Sequence, residues 1–210
     1  MAYRETEKMR TRKAEARKRI IECTYGCVAD GGFRSAQITR IAACAGVATG
    51  TIYRHFESKE DLFAEIFRIA TQREVDKVAE ALTTEDSAAS RLEVALRQFA
   101  ERALRGPVMA WSLIAEPVDP KVEEERLKFR RAYAQLFEQA IRDGIKEGCL
   151  PDQDARQSST CLVGAIAESL VGPLSPAQAD TAEQAETNDH DPLVNSIICF
   201  CMQGLTGTRR

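Results

Sequence analysis

Residues 38–56 carry the pattern of two short helices joined by a sharp turn. Gly46 lies between the two helices and can adopt the positive φ that a tight helix-to-helix connection requires. After it, Ile52 and Phe56 stand four residues apart and therefore share the inward face of the second helix. Before it, four apolar residues recur at the spacing of one helix face: Ile38, Ile41, Ala42 and Ala45. The pattern predicts a helix-turn-helix unit.

The outward face of the second helix is polar. Short hydroxyls, a bare backbone, a phenol and cations suit phosphates and base edges better than a protein core, and they are typical of a recognition helix in a major groove. The residues that form this face are Thr49, Gly50, Thr51, Tyr53, Arg54 and His55. The segment therefore predicts binding to double-stranded DNA.

The charge of the chain is divided unevenly along its length. The net charge of −3 by itself argues against a DNA-binding protein. Residues 1–59, however, contain 12 Lys and Arg against 6 Asp and Glu, whereas residues 60–210 contain 17 against 26. The positive part contains the helix-turn-helix, as expected of a nucleic-acid-binding region on an acidic body.

Apolar residues follow helical spacing along nearly the whole chain, without the sustained alternation that is typical of strands. The sequence predicts an all-α fold of about nine helices. After a loose tail, the first helix runs over about 10–30 and ends at Asp30-Gly31-Gly32. Ser58, with Asp61 three residues later, predicts the start of a longer helix. Later helices are predicted over about 88–105, 107–115, 120–147, 153–171 and 191–204, with an acidic linker over 172–191.

The apolar segments are short. None approaches the ~20 residues of a membrane-spanning helix, and the N-terminus lacks the apolar part of a signal peptide, so we expect a cytoplasmic protein. The sequence has no nucleophile–base set, no metal-ligand spacing and no glycine-rich phosphate loop. We therefore expect no enzyme activity, no cofactor and no bound metal.

The seven cysteines are odd in number and lack the spacing of a disulfide framework. Most lie within apolar helical patterns, which favours reduced, buried thiols. Two alternatives stay open. Cys23 and Cys27 are one helical turn apart and could share a metal, although two histidines leave few further ligands. Cys199 or Cys201 could instead serve a redox sensor.

The motifs around the turn resemble the signature of the TetR/AcrR family of bacterial transcriptional repressors. Two positions depart from the family pattern: Ala48 replaces a serine that usually starts the recognition helix, and Ala36-Gln37 replace a hydroxyl that starts the helix before it. Capping there, or a phosphate contact, would fall to Thr49 or Gln37. The matching motifs cover about a quarter of the chain, at the family's spacing: Ile38 to Ala42, Ala45-Gly46-Val47, Gly50-Thr51-Ile52-Tyr53-Arg54-His55-Phe56 and Ser58-Lys59-Glu60-Asp61-Leu62.

The resemblance implies a helix-turn-helix DNA-binding domain of three helices over 1–57, followed by an effector-binding and dimerisation domain over 58–210. In the first domain, Tyr53 and Lys59 would hold phosphates, and His55 would either do the same or interact with the dipole of its helix. A plain solvated side chain is the alternative for Lys59. The residues assigned to DNA are Gln37, Thr49, Gly50, Thr51, Tyr53, Arg54, His55 and Lys59.

The resemblance also implies a pocket for a largely apolar small molecule among the central helices. Trp111, the only tryptophan, is the favoured pocket residue. Glu168 interrupts an apolar run, so it pairs with a cation such as Arg102 or Arg130, or faces the ligand. The other bulky residues of these helices could equally form the core of the bundle: Phe99, Met109, Phe129, Tyr133 and Phe137.

The last two long helices are too apolar to lie together on the surface of a monomer. The resemblance implies that they form a four-helix contact with the same helices of a second subunit. The residues predicted to make this contact are Leu162, Ile166, Leu170, Val194, Ile197, Ile198 and Cys201. We thus expect a homodimeric repressor that a small-molecule effector releases from its operator. The rival hypotheses are a redox-sensing regulator and, from another class, a helical ligand carrier or enzyme that does not bind DNA.

Overall fold

The computed structural model describes residues 7–84, 86–176 and 190–207, and over these residues the protein consists of nine helices without a strand. This confirms the predicted all-α fold. No helix in the described ranges is long and apolar enough to cross a membrane. The helices are α1 (Glu7–Ser35), α2 (Ile38–Ala45), α3 (Thr49–Ile52), α4 (Lys59–Ala81), α5 (Ala88–Arg105), α6 (Pro107–Ile114), α7 (Pro120–Glu147), α8 (Ala155–Leu174) and α9 (Asp191–Thr206).

The ends of two helices differ from their sequence patterns. α1 begins at Glu7, so residues 7–9 are helical and not part of a loose tail. Its regular geometry stops at Gly31 and Gly32, as predicted, and Gly32 has a φ of 76°, which glycine adopts most easily. α8 continues to Leu174, into the segment predicted as an acidic linker. Most of that segment, residues 177–189, lies outside the described residues.

Two apolar cores meet along α4. The N-terminal core joins α1, α2 and α3 around residues such as Ile20, Ile41 and Ile52, and the first half of α4 adds Phe63 and Phe67 to it. The second half of α4 packs into the C-terminal core, which is formed with α5, α7, α8 and α9. α4 is one continuous helix of 23 residues and therefore links the two cores directly.

The C-terminal core corrects the interpretation of the last two helices. The residues predicted to contact a second subunit pack inside this single chain against α5 and α7, so they are not available to a partner. The apolar character of α8 and α9 is explained mainly by this internal burial. The residues concerned are each at most 5% exposed: Leu162, Ile166, Leu170, Val194, Ile197, Ile198 and Cys201.

The outward faces of α8 and α9 present a different set of side chains. Phe200 on α9 is 67% exposed, although it is large and apolar. Three glycines of these helices, Gly164, Gly172 and Gly204, are exposed, and a Cβ added at any of them would meet no atom within 4 Å. These helices therefore offer a shallow, open surface with one protruding aromatic ring.

Candidate DNA-binding surface and ligand cavity

The turn between α2 and α3 has the predicted geometry. Gly46 has a φ of 64° and a ψ of 38°, and its N–H donates to the Ala43 carbonyl oxygen at 3.3 Å. α3 is a single turn, but hydrogen bonds continue it: the N–H groups of His55 and Phe56 donate to the Ile52 carbonyl oxygen at 2.9 and 3.0 Å. Ile52 and Phe56 are buried, as predicted, and fix this segment on the N-terminal core.

The residues predicted to contact DNA lie on the surface around α2 and α3. Tyr53 is 48% exposed, which is high for a tyrosine and leaves its hydroxyl accessible. At Gly50, an added Cβ would meet no atom within 4 Å, so the fold itself does not require glycine there. Of the other residues, Gln37, Thr49 and Arg54 are exposed, whereas Thr51, His55 and Lys59 are half-buried.

Side-chain capping differs between the helices of this region. Gln37 and Ala48 occupy the N-cap positions of α2 and α3, and neither makes a side-chain cap hydrogen bond. Gln37 therefore does not cap α2, and the alternative role of Gln37 and Thr49, a phosphate contact, stays a prediction. Ser58, in contrast, caps α4 as predicted, because its Oγ accepts a hydrogen bond from the Asp61 N–H at 3.1 Å.

Two cations beside α3 rest on aromatic rings. The Arg17 guanidinium carbon lies 5.0 Å from the centre of the Phe56 ring, and the Lys59 Nζ lies 4.8 Å from the centre of the Phe63 ring. Each contact is a cation–π interaction that keeps the positive charge close to the protein surface. Lys59 is thus held at the start of α4 and is not a freely solvated lysine.

His55 is mostly uncharged at neutral pH. Its burial lowers the pKa of the imidazole, and the nearby cations Lys13 and Arg17 lower it further. An imidazole whose pKa lies below its usual value of about 6.5 is neutral at pH 7. His55 can therefore donate a hydrogen bond to an anion, whereas Lys13 and Arg17 supply the positive charge.

Glu116, in the connection between α6 and α7, binds the end of α1. Its Oε2 accepts a hydrogen bond from the Phe33 N–H at 2.9 Å, and its Oε1 accepts one from the Arg34 N–H at 2.8 Å. Glu116 is only 6% exposed. A Cβ at Gly32 would lie 2.8 Å from Oε2, so glycine at that position permits the approach. The sequence pattern indicated only a helix break at Glu116-Pro117, because nothing local signals so distant a contact.

Arg126 on α7 holds the same connection from its other side. Its Nη2 donates a hydrogen bond to the Glu116 carbonyl oxygen at 2.7 Å, and its Nε donates one to the Leu113 carbonyl oxygen at 3.0 Å. The guanidinium also lies over the Phe67 ring, 5.8 Å from its centre. Arg126 borders an internal cavity, so hydrogen bonds connect the wall of that cavity to the end of α1.

The cavity has a volume of about 200 Å³ and lies among residues of α4, α5, α6, α7 and α8. Trp111, the favoured pocket residue, does not line it but packs against the C-terminal core. Glu168 lies in a separate, outer groove between α7 and α8, and Arg102 pairs with Glu74 instead. Five of the seven predicted pocket residues do line the cavity: Phe99, Met109, Phe129, Tyr133 and Phe137.

The free cysteines are less uniformly buried than their sequence context predicts. Cys27 and Cys201 are buried, but Cys149 is half-buried and Cys161 and Cys199 are exposed. Burial raises the pKa of Cys201 to about 11, so its thiol stays protonated at neutral pH. Because the thiolate is the reactive form, Cys201 is unsuited to the redox role considered for it.

Cys23 and Cys44 form a disulfide between α1 and α2, with Cα atoms 5.8 Å apart. This corrects the expectation of reduced thiols throughout. Sequence spacing could not reveal the pair, because the two residues lie on different helices and are 21 positions apart. Within the described ranges, no group of three or more His, Cys, Asp and Glu residues could hold a metal, so the alternative of a shared metal at Cys23 and Cys27 has no support.

Replacing Cys23 by serine is expected to lower the free energy of unfolding of the oxidised protein by about 2–3 kcal/mol, because the cross-link closes a loop that otherwise gains entropy on unfolding. Urea unfolding of oxidised wild type and of the C23S variant measures the difference, which should vanish when both are reduced. Cys161→Ser, at an exposed free thiol, is the control. Equal stabilities of oxidised wild type and C23S would show that the bond contributes nothing to the fold.

The sequence model described as "Bacterial regulatory proteins, tetR family" matches residues 20–66, which comprise most of α1, α2, α3 and the first turns of α4. The Fatty acid metabolism regulator protein of Bacillus subtilis is 23% identical over 155 residues, 72% of this chain and 79% of that protein. The HTH-type transcriptional repressor KstR of Rhodococcus jostii is 38% identical over 64 residues, which cover 30% of this chain and 28% of the repressor.

Solved structures show the same fold over nearly the whole chain. The transcriptional regulator FadR from Bacillus subtilis, in complex with stearoyl-CoA, superposes with a TM-score of 0.71 at 20% identity, covering 90% of this chain and 98% of FadR. The family match contains the helix-turn-helix and its exposed polar face, and the structural likeness extends through the helical domain that contains the cavity. Residues 20–66 therefore match the DNA-binding part of the tetR family of bacterial regulatory proteins, and the chain as a whole is similar in fold to FadR.

Proposed function

We propose that this protein is a ligand-responsive transcriptional regulator that binds DNA as a homodimer and acts as a repressor. The observation that carries the proposal is the exposed polar face of α3 within a helix-turn-helix, at the positively charged end of the chain. It is supported by a relative that is named a transcriptional repressor and by a structure of similar fold that holds stearoyl-CoA. The cavity beside α4 is the site for the effector.

In this proposal α3 enters the major groove of the operator. Thr49, Gly50 and Thr51 face the base edges, since a hydroxyl can hydrogen-bond to either base type and glycine permits close approach. Tyr53 and Lys59 bind phosphates on the flanking backbone, where contacts fix the position of the protein without reading sequence. The remaining contacts come from Gln37, Arg54 and the neutral His55.

The dimer forms through the outward faces of α8 and α9. Phe200 is the large apolar group of this surface, and exposed small residues such as Gly164 and Gly204 allow the helices of a second copy to approach closely. A two-fold axis there presents two copies of α3 to two operator half-sites, as helix-turn-helix dimers require. These outward residues replace the buried ones that the sequence suggested.

Effector binding reaches the DNA-binding surface through Arg126 and Glu116. A ligand in the cavity that moves Arg126 moves the Glu116 backbone, to which Arg126 is hydrogen-bonded. The Glu116 carboxylate then carries that displacement to the N–H groups of Phe33 and Arg34, just before α2. A small rotation there changes the distance between the two α3 helices and breaks the fit to the operator.

Tyr53→Phe is expected to weaken operator binding at least about tenfold, because each subunit loses a hydrogen bond to a charged phosphate that contributes roughly 1.5 kcal/mol or more. Fluorescence anisotropy with DNA from upstream of the gene measures the affinity, and binding should weaken steeply as salt is added. The variant should fold normally, since Tyr53 is exposed.

Lys146→Ala, near the end of α7, is the matched control for this experiment, because it changes an exposed polar residue far along the chain from α3. It should bind the operator like wild type. If wild type shows no sequence-dependent, salt-sensitive binding to any such DNA, the proposed function is wrong.

A redox-sensing regulator is the second candidate, and the Cys23–Cys44 disulfide favours it. The bond joins α1 to α2 inside the DNA-binding unit, so its reduction would free α2 from a covalent link to α1. Operator affinity of wild type should then differ between oxidised and reduced protein, while that of Cys44→Ser should not. Identical affinities of the two wild-type forms would exclude this candidate.

A further inference from the structure

We propose that the cavity binds a carboxylate-bearing molecule with an apolar body, and that Thr71 and Arg102 hold the carboxylate. The inference rests on the proposed function, because it names the chemical class of the effector for the same site. The cavity wall is otherwise apolar but contains a small set of polar groups. Two of these groups have atoms that are buried and lack a hydrogen-bond partner among the described residues.

Thr71 on α4 is the first of these groups. It is only 5% exposed and lines the cavity. Its Oγ1 makes no hydrogen bond with any described residue, although a helical threonine can donate to the carbonyl oxygen one turn before it. A buried hydroxyl without a partner destabilises the protein, so its presence in the wall of a cavity points to a ligand that completes the bond.

Arg102 on α5 is the second group. Its Nε donates to Glu74 Oε2 at 2.9 Å, which fixes the guanidinium in the wall of the cavity. Its Nη2 is buried and has no partner in the described part of the chain. A guanidinium presents its N–H groups in a planar fork that matches the two oxygens of a carboxylate, so the free Nη2 suits that group.

The charge of the cavity wall also favours an anion. The wall contains three arginines, Arg102, Arg126 and Arg130, against one acid, Glu74. Its formal charge is therefore +2, and Glu123, outside the wall, offsets one of these charges through its ion pair with Arg126. Burial raises the pKa of Tyr133, so this phenol stays protonated and can also donate a hydrogen bond. A cationic ligand would meet repulsion here, whereas a carboxylate reduces the excess positive charge.

The rest of the wall is apolar and limits the size of the ligand. Aromatic and aliphatic side chains such as Phe99, Phe129 and Phe137 surround the space beyond Thr71 and Arg102. The volume of about 200 Å³ is below the roughly 300–1,000 Å³ that is usual for drug-sized ligands. A compact acid with a chain of about eight carbons is a suitable probe on that scale.

Calorimetric titration with octanoate and with 1-octanol, in the absence of DNA, tests the inference. Octanoate should bind with one site per chain, at least about tenfold more tightly than octanol, because charge-assisted hydrogen bonds are roughly twice as strong as neutral ones. Thr71→Val, which keeps the shape of the side chain, should weaken octanoate binding several-fold without lowering the melting temperature. Arg102→Gln should weaken it further, and Thr83→Val, at an exposed threonine after α4, should not affect it.

The outcomes separate this inference from the proposed function, since no DNA is present in the titration. Octanol that binds as tightly as octanoate, or octanoate binding that Thr71→Val leaves unchanged, would overturn the assignment of the carboxylate site. Absence of binding by both compounds would also overturn it. In each case the operator-binding measurement with the Tyr53→Phe variant decides separately whether the protein is a DNA-binding regulator.

Discussion

Glu116→Ala is expected to lower the free energy of unfolding by about 2–5 kcal/mol, because each buried donor that loses its partner costs roughly 1–3 kcal/mol. The carboxylate accepts hydrogen bonds from two backbone N–H groups, those of Phe33 and Arg34, and both would lose this acceptor. These hydrogen bonds lie at the junction of α1 and α2, so the N-terminal core should unfold first when they are lost. Urea unfolding followed by circular dichroism measures the change, and operator binding should be lost with it.

Glu116→Gln separates the effect on stability from the effect on effector response. Its amide keeps one acceptor oxygen but places an NH₂ group against the second N–H. The free energy of unfolding should therefore fall by about half as much as in Glu116→Ala. This variant should still bind the operator and should respond less to the effector. Glu124→Ala, at an exposed acid on α7, is the control and should leave both properties unchanged. A Glu116→Ala protein as stable as wild type would refute the structural role of this carboxylate.

The helix-turn-helix could be predicted because its determinants are local. Gly46 must adopt positive φ for the chain to turn so sharply, and the inward spacing of Ile52 and Phe56 depends only on the helical repeat. The cap of α4 by Ser58 is equally local, since donor and acceptor lie three residues apart. In such cases, sequence neighbours alone specify the geometry.

Contacts between distant segments could not be predicted in the same way. Glu116 meets Phe33 because α6 packs on α1, and no short-range pattern records that packing. The sequence also cannot show which faces of α8 and α9 are buried, for a related reason. Both helices are apolar on their inward faces and carry small residues outward, so composition alone did not tell which face belongs to the chain's own core.

The residues around the cavity also divide into those that the sequence indicates and those that only the structure reveals. The family resemblance implies a pocket among the central helices, and five of the bulky residues predicted there line the cavity. Trp111, the only tryptophan, is partly buried against the C-terminal core instead of lining the cavity. The sequence cannot assign Thr71 and Arg102 to a ligand, because an unpartnered polar atom can be recognised only when its surroundings are known.

Phe200→Glu is expected to weaken dimer formation by at least about a hundredfold, because burial of an unpaired carboxylate costs several kcal/mol. A symmetric interface contains each residue twice, so the substitution places two negative charges in one contact. Because a monomer engages only one half-site, operator affinity should fall by at least as much. Sedimentation equilibrium measures the dimer constant, and anisotropy with the operator measures the affinity.

The fold of the monomer should survive this substitution, since Phe200 is 67% exposed and contributes little to the core. Ile197→Glu is the informative contrast: Ile197 is 5% exposed, so a carboxylate there should unfold the chain instead of separating the subunits. Val108→Asp is the matched control, because it adds an acid at an apolar position that is 39% exposed on α6, away from α9. If Phe200→Glu remains dimeric while Val108→Asp is also unaffected, the contact between subunits lies elsewhere than on the outward face of α9. If both substitutions separate the subunits, the effect comes from added charge in general and not from this interface.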